Sequence, residues 1–148
     1  MRTKILILCG ITLIIFGCKK NQFSTKPQLS FESLSTEVLA PGNTITITLK
    51  YTDKEGDIQD SLFVQKLTQN CAQSNFDAYY KISDQVPTQQ NSEGELLITY
   101  GYLTGQAIPE IKGPVCLEND TCVLRFVLSD KQKNKSDTLT TPPFVILK

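Results

Sequence analysis

The chain has 148 residues, with 15 basic and 15 acidic side chains and a formal net charge of zero. That balance argues against a nucleic-acid surface, which needs a basic patch or stripe. Histidine is absent, which removes the commonest general base and the commonest transition-metal ligand and argues against a zinc or copper centre.

Residues 1–17 place Arg2 and Lys4 ahead of an apolar run from Ile5 to Phe16. Such a run is shorter than the roughly 20 residues that a helix needs to cross a bilayer core. It has the size of a signal-peptide h-region. Ile15-Phe16-Gly17-Cys18 follows directly and resembles the lipobox of bacterial lipoproteins. The resemblance implies cleavage before Cys18, a thioether-linked diacylglycerol on its sulfur and acylation of the new N-terminus. The alternative is an ordinary secretory signal cut elsewhere. Several acyl chains, at about 0.8 kcal/mol per buried CH₂, make a membrane attachment effectively permanent. Cleavage there leaves 131 residues, the size of one domain, with 13 basic and 15 acidic side chains.

Residues 18–28 read as a lipidated polar tether, ending in Lys26-Pro27-Gln28. Lys19 and Lys20 follow Cys18, and no acidic residue does. The lack of Asp after the lipidated Cys permits sorting to the outer membrane. Surface-exported lipoproteins of the Bacteroidota tend to carry acidic residues at this place, so the periplasmic face is slightly favoured over the cell surface.

Residues 29–148 read as one domain of strands and turns. Leu29 and Phe31 share a face, and Pro41-Gly42 marks a turn. "TITITLKY" alternates strictly, with Ile45, Ile47, Leu49 and Tyr51 on one side, as a half-buried strand does. Further strands are expected over 61–67, around Ala78–Ile82, and over "ELLITYGYL", where Leu96, Ile98, Tyr100 and Tyr102 share a side. "TCVLRFVLSD" turns Cys122, Leu124, Phe126 and Leu128 inward and Arg125 outward, and "FVILK" closes the chain. No segment shows a capped 3.6-residue period. About seven short strands predict an all-β, antiparallel, immunoglobulin-like sandwich.

The stretch from Thr44 to Leu67, with the later "LRFVLSDKQKNKSDTLTTPPFVI", resembles small Bacteroidota outer-membrane lipoproteins with an immunoglobulin- or cadherin-like domain. The shared pattern is a strand, a D-x-(D/E)-G-D-I loop and a second strand, then D-x-x-x-N-x-S, Thr-Pro and a final strand. It falls on Asp53, Glu55, Gly56, Asp57 and Ile58, on Asp130, Asn134 and Ser136, and on Thr141 and Pro142. Most members are uncharacterised, so the resemblance implies a class and not a function. Asp60-Ser61-Leu62 and Asp137-Thr138-Leu139 also resemble the O-glycosylation motif of exported Bacteroidota proteins, which makes Ser61 and Thr138 candidates.

In an immunoglobulin-like topology the loops after 44–51 and after 121–129 lie at one end of the sandwich. Asp53, Glu55, Asp57 and Asp130 would then meet there and are candidate calcium ligands, since calcium takes six to eight oxygens. The alternative is a charged turn in which Lys54, Lys131, Lys133 and Lys135 neutralise the carboxylates. Gly56 comes too early for an EF-hand. Of five cysteines, Cys71, Cys116 and Cys122 remain in the domain, all expected at the end opposite the acidic loop. Cys116–Cys122 would close a small loop. A bridge from Cys71 to either partner closes a longer one and is preferred, because it stabilises more in the chain-entropy model. Three reduced thiols are the remaining possibility.

Without histidine a Cys–His nucleophile is excluded. No Ser or Thr nucleophile and no carboxylate dyad has a supporting motif, so no enzyme activity is expected. Tyr79, Tyr80, Tyr100 and Tyr102 could offer a sugar platform or serve as half-buried packing residues. The expected role is a lipid-anchored binding module with a protein or glycan partner. The alternative is a structural accessory of an outer-membrane complex.

Overall fold

The computed structural model describes residues 23–148. The signal peptide, Cys18 and the first part of the tether lie outside the described residues. Nine strands and one 3-10 turn make up the domain, and no α-helix occurs among the described residues. The strands are β1 (Gln28–Leu34), β2 (Val38–Leu39), β3 (Thr44–Asp53), β4 (Ser61–Thr68), β5 (Phe76–Lys81), β6 (Ser92–Gly101), β7 (Asp120–Ser129), β8 (Leu139–Thr140) and β9 (Phe144–Ile146).

They form two facing sheets. One has the order β1-β3-β6, and the other the order β2-β9-β7-β4-β5, with β8 also pairing β7. The all-β sandwich expected from the alternation is therefore present. Period two explains how the sheets meet. Ile45, Ile47, Leu49 and Tyr51 of β3 face Leu62 and Val64 of β4 and Leu124, Phe126 and Leu128 of β7 across one buried core. Fully burying each such side chain contributes about 1.5–3 kcal/mol. Phe76 and Tyr80 of β5 each meet the Tyr100 ring edge-to-face at 6.1 Å, which ties the rims of the two sheets together.

Two expectations need correction. Two of the nine strands, β2 and β8, are only two residues long and were not foreseen. The sandwich is also not wholly antiparallel, because β2 runs parallel to β9. The cause is a change of sheet after β1. The Thr36 Oγ1 accepts from the Val38 N–H at 3.2 Å, and the chain then continues alongside the last strand in the same direction.

Candidate functional site

Antiparallel strands set the two poles of the domain. β3 ends at Asp53 and β4 starts at Ser61, while β7 pairs with β4 and ends at Ser129. The acidic loop and the loop after β7 therefore share one pole. The Lys131 N–H donates to the Asp57 carbonyl at 2.9 Å and joins the two loops directly.

At this pole Asp53, Asp57 and Asp130 each bring a carboxylate oxygen to within 4.8 Å of the others. Asp53 and Asp130 are fully buried. Asp53 Oδ2 accepts from the Gly56 N–H at 2.5 Å and the Asp57 N–H at 3.1 Å. Asp130 is held by the backbone N–H and side-chain amide of Asn134, both at 2.8 Å. Asp53 Oδ1 and Asp57 Oδ1 are buried and have no hydrogen-bond partner. Burial pushes the Asp53 carboxyl up, the two backbone donors pull it down, and the charges of Asp57 and Asp130 push it up again, for a net rise. Among the described residues no lysine forms an ion pair with any of the three. Lys133 instead pairs with Asp60 at 2.6 Å.

Glu55 stands outside this group. Its Oε2 is buried without a partner, but it is not among the oxygens within 4.8 Å of one another. The four expected ligands thus come together as three. Gly56 explains why the loop curls. Its φ is +71°, in the left-handed region, and a Cβ there would overlap the Gln89 backbone. The loop before β6 closes on this glycine. Gln59 fastens it from below, donating to the Val86 carbonyl at 2.8 Å. Gly56→Ala is expected to destabilise the domain by about 1–3 kcal/mol from backbone strain alone, read as a drop in the urea midpoint.

The opposite pole holds the cysteines. Cys71 and Cys116 form a disulfide with a Cα–Cα distance of 5.8 Å. Cys122 remains a buried free thiol, its pKa pushed up to about 12 by burial against the opposing effect of Lys66. By spacing alone, either Cys116 or Cys122 could partner Cys71. The structure selects Cys116, because Cys122 lies inside β7 with its side chain in the core.

Next to the disulfide is a feature that the sequence reading missed. Lys66 and Asp120 are both fully buried and pair at 2.7 Å. Lys66 Nζ also donates to the carbonyls of Lys112 at 2.6 Å and Ser74 at 3.3 Å. The signal lay in the phase of the strands, since Lys66 continues the inward positions of Leu62 and Val64. Asp120 likewise precedes the inward Cys122 and Leu124.

The glycosylation candidates differ in access. Ser61 is half-buried and donates to Asp60 at 3.2 Å, whereas Thr138 is exposed just before β8. The four tyrosines do not make one platform. Tyr79 is exposed on the outer face beside Phe63, with ring centroids 4.9 Å apart. Tyr80 and Tyr100 line a cleft between the sheets, and Tyr102 is buried.

No protein-family model matches the sequence, and no curated protein matches it. Among solved structures, the chain is similar to the sporulation control protein Spo0M of Bacillus subtilis, at 12% identity and a TM-score of 0.45. The match covers 83% of this chain and 50% of that one, so this chain spans about half of Spo0M's length. A likeness that loose carries no argument about what this chain does.

Proposed function

We propose that this chain is a non-catalytic, lipid-anchored binding module of the bacterial envelope, with an immunoglobulin-like sandwich whose acidic pole is stiffened by calcium. The anchor rests on the apolar leader and the lipobox-like Ile15–Cys18. The immunoglobulin-like reading rests on the pairing of β1, β3 and β6 against β9, β7, β4 and β5. The observation that carries the calcium reading is the meeting of Asp53, Asp57 and Asp130 with two buried oxygens left unpartnered.

The fit is geometric. Two oxygens bound to one calcium at 2.3–2.6 Å lie at most about 5 Å apart, and the three carboxylates satisfy that limit. Three clustered carboxylates without a counter-charge, two of them fully buried, would repel one another, and a divalent cation removes that repulsion. Asp53, Asp57 and Asp130 would hold the ion, with Asp53 Oδ1 and Asp57 Oδ1 as the free donors.

Calcium at about 1 mM is expected to stabilise the domain by about 0.4–1.4 kcal/mol, given the ~10⁻⁴–10⁻³ M affinities typical of extracellular modules. Calorimetric melts with calcium and with chelator would read this as a rise of several degrees. Asp53→Asn should abolish the rise. The sign of the pH dependence follows from the raised Asp53 carboxyl. Without calcium, the domain gains stability as pH falls through the folded-state pKa and Asp53 takes up its proton. The calcium effect fades over the same range because proton and metal compete. An unchanged melting temperature at millimolar calcium would sink the reading.

A further inference from the structure

We infer that β6 is a dimerisation edge, at which a second copy of this chain adds its own β6 antiparallel about a two-fold axis at Leu97. The inference is independent of the calcium reading.

The sandwich leaves several strand edges open, and all but one are protected. β2 is two residues long. β1 carries a bulge between Phe31 and Ser33. β5 is six residues long, with Lys81 at its end. Short strands, bulges and charged side chains, lysine above all, are the devices that keep edges from pairing. β6 has no bulge and no lysine, and its two charges, Glu93 and Glu95, lie toward its first half. It is ten residues long, holds unbroken register with β3 from Ser92 to Gly101, and contains no proline or lysine. Among the described residues no strand pairs with its outer side. Only its last residue is covered there, because Gly101 exchanges hydrogen bonds with Pro109 and Ile111. Every second residue from Glu93 to Thr99 therefore presents its backbone donor and acceptor to solvent.

The side chains select the occupant. On the outer face Glu93, Glu95 and Leu97 follow one another, and Leu97 is 67% exposed. An antiparallel copy centred on Leu97 sets Leu97 against Leu97 of the second copy. Glu95 then faces Thr99, and on the inner face Leu96 faces Ile98. No like charges meet, and the exposed leucines cover each other. Shifting the axis to Leu96 puts each Leu97 against a glutamate. Shifting it to Glu95 puts two carboxylates face to face, which is destabilising. The chosen register pairs Gly94 to Tyr100 and stops where Gly101 is already engaged. It also closes the mouth of an apolar cleft of about 390 Å³, lined by Leu62, Tyr80, Ile82, Leu96, Ile98 and Tyr100, that opens beside this edge. The result is a continuous sheet of order β1-β3-β6-β6-β3-β1 across two copies.

Facing residues of an antiparallel pair have Cα atoms about 4.5–5.5 Å apart, within disulfide reach. The test uses the full-length chain in detergent, oxidised with copper phenanthroline. Leu97→Cys should give a product of doubled mass on a non-reducing gel, well above wild type and above Tyr79→Cys, an equally exposed position on another strand. Both controls retain the chain's own thiols. In sedimentation equilibrium the wild type should weigh two chains. Leu97→Lys, which sets two ammonium groups face to face on an exposed site that tolerates it, should weigh one. A monomeric wild type, a dimer that survives Leu97→Lys, or equal cross-linking at positions 97 and 79 would each overturn the inference.

Discussion

Replacing Lys66 by Met is expected to cost about 3–5 kcal/mol of stability, because it leaves the Asp120 carboxylate buried without a counter-charge. That is a large share of the 5–15 kcal/mol that holds a typical domain. Three acceptors converge on this one ammonium: Asp120 Oδ2 and the Ser74 and Lys112 carbonyls. The carbonyls belong to the 3-10 turn after β4 and to the long connection before β7, so the lysine also fixes two otherwise irregular segments. Asp120→Leu alone should be costly for the converse reason, stranding the ammonium. The double variant Lys66→Met/Asp120→Leu should recover much of the loss, since a buried ion pair is often replaceable by apolar residues of similar volume. What it fails to recover measures the two carbonyl bonds. Urea unfolding of the four proteins closes the cycle. A double variant that costs the full sum of the two single variants would show that the pair is not coupled.

Removing the disulfide by Cys71→Ser/Cys116→Ser is expected to cost about 4 kcal/mol, the chain-entropy value for the 45-residue separation it spans. Reductant added to the wild type should bring the urea midpoint to that of the variant. In the folded domain the Cys122 thiol is buried and its pKa is pushed up to about 12, so near neutral pH it has almost no thiolate with which to attack the bridge. Combined with Lys66→Met, the disulfide variant should lose less than the sum of the two. Lys66 bonds the Ser74 carbonyl and Val115 bonds the Ser74 hydroxyl at 3.0 Å, so both changes loosen the same pole. A full sum would place the two effects in separate regions.

The two-residue alternation of the strands was legible in the sequence. The alternation in Thr44–Tyr51 and in Cys122–Leu128 gave the inward faces correctly, because side-chain direction in a strand is local. With an immunoglobulin-like topology it also put Asp53, Glu55, Asp57 and Asp130 at one pole, where Asp53, Asp57 and Asp130 do meet. What stayed hidden depends on register or on contacts far apart in sequence. Two-residue strands such as β2 and β8 are too short to show a period. The Lys66–Asp120 pair needs the β4–β7 register, and a lysine taken alone reads as solvent-exposed. Glu55 was grouped with its neighbours by spacing, but the curl at Gly56 over Gln89 leaves its oxygens outside the cluster. Cys116 could not be told from Cys122 until the inward phase of β7 was given its buried partners.

The order β1-β3-β6 also makes the smaller sheet a mechanical path. The described chain enters at the acidic pole, where the Lys54 N–H donates to the Ser24 carbonyl at 3.1 Å and Lys26 pairs with Asp137 at 2.6 Å. A pull at that entry, resisted at the β6 edge, crosses two antiparallel ladders, β1–β3 and β3–β6. Directed along the strands, it loads each ladder in shear, so its hydrogen bonds must yield together and not one by one. The larger sheet, with the disulfide and the buried ion pair at its far pole, takes only the share that passes through the Lys26–Asp137 pair and through β2. Tension on the entry would thus load the ladders of the smaller sheet directly, while the cross-links of the larger sheet sit at the pole farthest from it.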